Sequence, residues 1–510
     1  MAFDKGMNRR RFLAHTAKAG LGLCIAPLLP GHAPAASRDR VVVFQGVGLD
    51  SLHPYAYSGG GISGIWQHII EPLIEMDYSR KEYTGVLAES WEFQGRKWIF
   101  RLRKNIRFHD GSPFTSKDVL FSLDRMVNDR KSLQASNFVE VTGVEAPDEY
   151  SVVLTTKQPN AVLLERLNNR FIVSQAAVEN NPTQLDNYKI GTGAYKIVSW
   201  QRDGLLVLAR NDDYWRTKPE IKEVLFKTVK EESARVAGLV AGQADVVSNL
   251  PIEEIPRVSK HPRTRVEKVP GYRMYFLAMN VTHKPFDNKL VRQAFNYSID
   301  PNVILKHIYE GNGYVLNGPL SSNMVGFDPA IKRYPFDPKK ARALLAQAGF
   351  PHGLEVKLYL APDRHLKGKE VCQVIAHQLN QSGIKAELVP QEYPIYWGRE
   401  GVNGGKLAFY YAGRSAYDAD TFYDQYFHTG VTKRTGYSNP ELDKLIEEEQ
   451  RTGDPKKRVA ILQQAGRIIM EDAPIVPLYT LAEIYGVARN IIWTGNPNNE
   501  IIVSDMKIKP

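Results

Sequence analysis

The residues best equipped to recognise a solute cluster late in the chain, where the strand-like run Phe409-Tyr410-Tyr411 leads into Ala412-Gly413-Arg414-Ser415-Ala416-Tyr417-Asp418-Ala419-Asp420. A guanidinium holds a carboxylate or phosphate through two parallel charge-assisted hydrogen bonds. Asp418 or Asp420 would instead accept from an ammonium. Upstream, Tyr396 and Trp397 offer large apolar faces with a polar edge, and the loop from Ser58 to Ser63 offers small hydroxyls as an opposing or flanking surface. Small residues followed by Arg, Tyr and two acids suit the rim of a cleft for a polar or zwitterionic ligand. Arg414 admits two readings: it contacts that ligand, or it pairs with Asp418 or Asp420 and orders its own loop.

Bond-making chemistry lacks its usual parts. There is no HExxH, no CxxC, no GxSxG elbow and no GxxxxGK[ST] phosphate loop. Gly401 to Lys406 (GVNGGK) has the wrong spacing for a phosphate loop and places Leu407 where Ser or Thr is needed, so a surface turn is expected. Gly191-Thr192-Gly193 lacks the third glycine of a dinucleotide fingerprint. His109-Asp110 imitates a base with its orienting acid. Asp110-Gly111 after Ile106-Arg107-Phe108 is a turn signal, however, so His109 is expected to be fixed by hydrogen bonds. The 12 histidines do not otherwise gather at metal-ligand spacing. No catalytic residue, metal or cofactor is therefore expected.

The N-terminus carries a different kind of information. Arg9 and Arg10, followed by Arg11, Phe12 and Leu13, resemble the twin-arginine signal of bacterial secretion. The apolar run Ala19 to Leu29 is too short for a membrane-spanning helix, which needs roughly 20 residues, and Ala33-Pro34-Ala35 suits a cleavage site. Residues 1–36 are thus expected to be a signal peptide read by the twin-arginine translocase, delivering a folded chain to the periplasm. Removing them takes away five basic residues and one acid, so the formal net charge of +10 falls to +6. The remaining Lys and Arg are interspersed with Asp and Glu, which argues against nucleic acid as a partner. Cys372 is the one cysteine left, so no internal disulfide forms, as befits folding in a reducing compartment before export. Its neighbours Val371 and Ile375 predict a buried structural thiol.

The elements that must position the cluster read as α/β. Strands are expected at Val41–Phe44, Trp98–Leu102, Ser151–Leu154, Leu205–Ala209, Val224–Val229, Tyr275–Met279, Glu355–Leu360, Lys385–Val389 and Leu407–Tyr411. Asp300-Pro301, Asp337-Pro338, Asn439-Pro440 and Asp454-Pro455 each put a capping side chain before a proline at the first helical position. Gly349 is available to end the helix that starts at Pro338. No Pro/Gly/Ser-rich tether divides the chain, so several domains would be joined by ordered crossings.

The stretch Leu87-Ala88-Glu89-Ser90-Trp91, continuing through Trp98 to Lys104 and Phe108-His109-Asp110-Gly111-Ser112-Pro113-Phe114-Thr115, resembles the signature of family 5 extracellular solute-binding proteins. Glu71-Pro72-Leu73, Gly191 to Tyr195, Asn211 to Trp215, Asp287-Asn288 with Val291 to Ala294, and Tyr437 to Asp443 match as well. The resemblance spans nearly all of residues 40–490. It implies a two-lobed, Venus-flytrap α/β periplasmic binding protein with an extra subdomain in the first lobe. By that resemblance, residues 37–62, 189–279 and 481–510 form the base of lobe one, 63–188 its extra subdomain and 280–480 lobe two. Crossings near Ala278-Met279-Asn280 and Pro477-Leu478-Tyr479 would be the hinge. Trp91, Trp98, Phe100 and Phe108 read as scaffold.

The implied function is that of a non-enzymatic, monomeric receptor: it captures a peptide or related small polar solute and delivers it to an ABC permease in the inner membrane. Peptide-binding relatives present a Trp and then an Asp for the peptide's amino terminus in the loop corresponding to Gly413 to Asp418. Here Arg414 stands where the Trp is expected and Tyr417 where the acid is, with Asp418 or Asp420 able to supply the acid after a shift of one or three residues. That departure keeps non-peptide solutes in view, such as an opine-like conjugate, an oligosaccharide or a chelated metal. A periplasmic peptide hydrolase is the alternative from another class.

Overall fold

The computed structural model describes residues 39–509, apart from 50, 57–59, 79, 81, 181–187, 363 and 432. The expected signal peptide and Ser58 lie outside the described residues. All nine expected strands are present, most of them one or two residues longer than the sequence suggests. The four proline-led helices are capped as expected. Asp300 accepts from Asn302 N, Asp337 from Lys340 N, Asn439 from Glu441 N and Leu442 N, and Asp454 from Lys456 N and Lys457 N. Gly349 follows its helix with φ +94°, a conformation that disfavours any residue with a Cβ.

The strands assemble mainly into one 11-stranded sheet with two wings. In one wing Arg40–Gln45 runs parallel to both Glu223–Thr228 and Val246–Val247, and the antiparallel strands Leu205–Arg210 and Tyr195–Trp200 complete that edge. In the other wing Phe409–Ser415 pairs with Leu354–Leu360, which pairs in turn with Ile384–Pro390. Two long antiparallel strands, Thr264–Met279 and Ile475–Ala488, join the wings. The first half of one, Thr264–Pro270, and the second half of the other, Ala482–Ala488, belong with the first wing, while Met274–Met279 pairs with Phe409–Arg414 in the second. The ladder is irregular between Pro270 and Met274.

The crossings expected at Ala278–Asn280 and Pro477–Tyr479 lie where the two long strands run beside the second wing. Ala278 is already paired with Tyr410 and Ile475, well inside the second wing. The change of wing happens at Pro270–Met274, where proline cannot donate to the ladder and the pairing slips. Sequence periodicity misses the first half of that strand because Arg265, Glu267 and Lys268 interrupt the apolar pattern.

A separate four-stranded sheet, Ala88–Gln94, Lys97–Leu102, Ser151–Thr156 and Val141–Asp148, carries the signature block. Trp98, Phe100 and Phe108 are buried there, as scaffold residues should be. Three separate sequence motifs converge on Glu71: its Oε2 accepts from Thr192 Oγ1 and Trp215 Nε1, and its Oε1 from Tyr214 OH, each at 2.7 Å. His109 closes the same junction, with Nε2 2.9 Å from Gly193 O and its backbone N–H donating to Gly191 O. Asp110 turns away to accept from Ser112 N and Oγ, so no base and acid pair forms.

Candidate ligand site

Arg414 lies near the end of Phe409–Ser415, paired with Met274. Its strand neighbour Gly413 is glycine for a steric reason. A Cβ there would meet His365 Cε1 at 2.9 Å and Tyr275 Cε1 at 3.1 Å. Beyond the strand the chain turns into the helix Ala419–Phe427, with Asp418 as its N-cap accepting from Asp420 N. This loop geometry decides between the two readings of Arg414.

Neither acid pairs with it. Asp418, only 1% exposed, receives Arg458 Nη1 on Oδ2 at 2.6 Å and Arg458 Nη2 on Oδ1 at 2.8 Å. Arg458 Nε donates to Glu449 Oε2 at 2.7 Å, closing a buried triad. Asp420, 5% exposed, accepts from Gln450 Nε2 at 2.7 Å. Asp418 and Asp420 thus leave the set of ligand-facing groups, because a carboxylate fully engaged by a buried partner has little left to offer a solute. Tyr396 leaves it too: it is 2% exposed, and its hydroxyl donates to Tyr411 O inside the core.

The Arg414 side chain makes no hydrogen bond or ion pair among the described residues, and its Nε is buried without a partner. Burial is the main cause lowering its pKa, and the positive charges of Arg434 and Arg166 push the same way against Tyr426 and Glu165. A half-buried cation with one nitrogen buried and unpartnered is stabilised by an anion. Glu165 cannot serve fully, because its Oε2 accepts from Thr421 Oγ1 at 2.7 Å. Burial and the charge of Asp418 moreover raise its pKa.

Around this point stand aromatic walls. Tyr417 is half-buried, edge-on to Tyr272 with ring centres 4.8 Å apart, and Tyr272 in turn faces Tyr78. Trp397 is half-buried and lies under Arg434, whose guanidinium carbon is 5.2 Å from its ring and 5.0 Å from that of Tyr426. Tyr426 is a neighbour of Arg414, so Trp397 flanks the site at one remove. Ser63 sits half-buried on the helix Gly60–Gln67, beside Gly64, where a Cβ would meet Glu500 Cα at 3.1 Å. Glu500 acts electrostatically on Tyr417, which places that helix near the same neighbourhood.

Sequence reasoning misses Arg166 and Arg170. Arg166 lies in the last turn of the short helix Leu163–Leu167 and Arg170 three residues beyond it, as ordinary charges in an amphipathic stretch, and only folding brings them towards Tyr417 and Arg414. Among the described residues no group of three or more His, Cys, Asp or Glu could hold a metal ion. No described helix is long and apolar enough to cross a membrane.

The sequence profile of the bacterial extracellular solute-binding proteins, family 5, matches residues 82–434. The chain belongs to that family. With membership comes its role as the substrate-binding component of ABC import. The glutathione-binding protein GsiB of Escherichia coli (strain K12) is 27% identical over 491 residues, covering 93% of this chain and 95% of the relative. The structure of HbpA2 from Haemophilus parasuis superposes with a TM-score of 0.85 at 24% identity, covering 92% of this chain and 100% of that one. The periplasmic binding protein DppA from Helicobacter pylori, in complex with peptide STSA, gives 0.68 at 27% identity over 92% and 98%. The family 5 fold is two-lobed and α/β.

Proposed function

We propose that this family 5 protein is a monomeric, non-enzymatic periplasmic receptor for a small carboxylate-bearing solute of peptide type, with Arg414 as its anion anchor. The observation that carries this reading is the unpartnered Arg414 Nε, buried while both nearby acids are engaged elsewhere. Tyr417 and Trp397 wall the site, with Ser63 on the flank. GsiB, a relative named for glutathione binding, supports a peptide that carries more than one carboxylate. The same guanidinium chemistry suits an opine-like conjugate. An oligosaccharide fits less well, since sugar recognition favours aromatic stacking with few charges.

In this reading residues 37–62, 189–279 and 481–510 form the base of lobe one, 63–188 its extra subdomain and 280–480 lobe two, with flexing centred on Pro270–Met274. A ligand touching both lobes shifts the population toward a closed form, and the permease reads that form. Residues 1–36 direct export of the folded chain through the twin-arginine translocase. Native mass spectrometry on protein purified without denaturation tests the function: a retained carboxylate-bearing adduct is expected. A neutral sugar adduct would exclude the anion reading, and turnover of a peptide mixture above a heat-killed control would exclude a pure receptor.

A further inference from the structure

Arg414 is not the only arginine without a partner. Arg170 makes no side-chain hydrogen bond or ion pair among the described residues, and its Nε is buried and unsatisfied. Arg166, one turn earlier, is half-buried and equally unpaired among the described residues. Surface arginines are often unpaired because water satisfies them. A buried guanidinium nitrogen without an acceptor is costly unless something else occupies the space.

The backbone holding these two residues is pinned. Asn168 Oδ1 accepts from Met76 N at 3.0 Å, and Asn169 Nδ2 donates to Glu500 Oε1 at 3.1 Å. Asn169 takes the left-handed conformation, φ +55°, and Arg170 N donates to Leu167 O at 3.1 Å. Glu165 Oε2, accepting from Thr421 Oγ1, draws the helix Leu163–Leu167 against Ala419–Phe427, the helix that follows the Arg414 strand. Two arginines whose side chains are unpartnered among the described residues thus lie at a helix that this hydrogen bond ties to the segment following Arg414, and Arg166 acts electrostatically on Arg414. Burial lowers the Arg170 pKa to about 10, with Arg166 pushing the same way and Tyr417 and Glu165 opposing. The nearest carboxylate, Glu165, is already bound to Thr421.

Resting on the reading of Arg414 as anion anchor, we infer that Arg166 and Arg170 form a second anion subsite facing it, so that the receptor selects solutes carrying two separated carboxylates. One carboxylate would sit on Arg414 and the other on the Leu167–Arg170 turn. Such a solute ties the Phe409–Ser415 strand to the Leu163–Leu167 helix, which a monocarboxylate cannot do.

Calorimetry with glutathione, its glycyl monoethyl ester and Ala-Ala tests this on the full mature chain. Wild type is expected to prefer glutathione over the ester by about tenfold or more, the effect of one charge-assisted contact. Arg170→Gln and Arg166→Gln are expected to abolish that preference while leaving ester affinity within about threefold. Arg170→Lys, which keeps the charge but loses the fork, should fall between, and guards against a variant that fails to fold. Equal wild-type affinity for glutathione and ester overturns the second subsite, and so does a preference that survives in both Gln variants. Either result leaves the Arg414 reading standing. If none of the three probes binds wild type, the peptide-receptor reading falls and the subsite with it.

Discussion

Arg458 grips Asp418 at two points, Nη1 to Oδ2 at 2.6 Å and Nη2 to Oδ1 at 2.8 Å, and this ion pair is what leaves Arg414 without an acid. The pair closes the N-cap of one helix onto the first turn of another, Ala419–Phe427 onto Pro455–Asp472. A sequence neighbour four residues from Arg414 is thereby removed from its reach by a residue forty positions further on.

Arg458→Ala is expected to destabilise the protein by about 3–5 kcal/mol, since it strands Asp418 and Glu449 as buried, uncompensated carboxylates. Urea denaturation measures the loss. Arg458→Met combined with Asp418→Asn and Glu449→Gln should recover much of it, and a triple variant as unstable as Arg458→Ala would show that packing, not charge, dominates.

Arg414→Ala is expected to act on binding and not on stability. It should weaken a carboxylate ligand such as glutathione at least about tenfold, roughly 1.4 kcal/mol. The melting temperature should hold or rise, because the removed group makes no hydrogen bond or ion pair among the described residues and carries a burial cost. Calorimetry beside a thermal melt separates the two effects; an unstable variant with unchanged affinity would make Arg414 structural.

Glu71→Ala should cost stability without touching the ligand. It leaves Thr192 Oγ1, Tyr214 OH and Trp215 Nε1 without their shared acceptor. Each unsatisfied buried donor costs about 1–3 kcal/mol, so a loss of at least about 2 kcal/mol is expected in denaturant titration. Affinity measured well below the melting point should stay within about twofold of wild type.

Glu483 gives stability a pH dependence of known sign. Burial raises its pKa from 4.5 to about 7, partly offset by Arg273. The folded state therefore holds this proton more tightly than the unfolded state. Its contribution is fully present below about pH 4.5 and is lost as pH rises through about 7. Wild type should lose melting temperature relative to Glu483→Gln between pH 5 and pH 8, in a comparison that cancels the other titrating groups. Parallel curves for the two proteins would contradict the buried acid.

Much of the frame was legible in the chain. Asp300, Asp337, Asn439 and Asp454 cap helices because a short polar side chain before proline satisfies donors of the first turn whatever surrounds it. The nine strands declared themselves by local apolar runs. His109 is held by hydrogen bonds, as the turn signal beside it suggests, although its partners, Gly191 and Gly193, are remote in sequence. Of the residues expected to face a ligand, Tyr396 belongs to the core and Asp418 and Asp420 to helix architecture. Aromatic and acidic residues have the same composition on a cleft wall as behind it.

By itself the sequence determined the α/β alternation, the capped helices, the absence of a disulfide framework and the family, all of which depend on local pattern or on ordered motifs. Only the tertiary structure decided which charges are spent. Whether Arg414 meets an acid depends on Arg458, and whether Arg166 and Arg170 matter depends on a turn pinned by Met76 and Glu500. Charge pairing acts through space over a few ångströms, and the distances that count separate residues hundreds of positions apart in the chain.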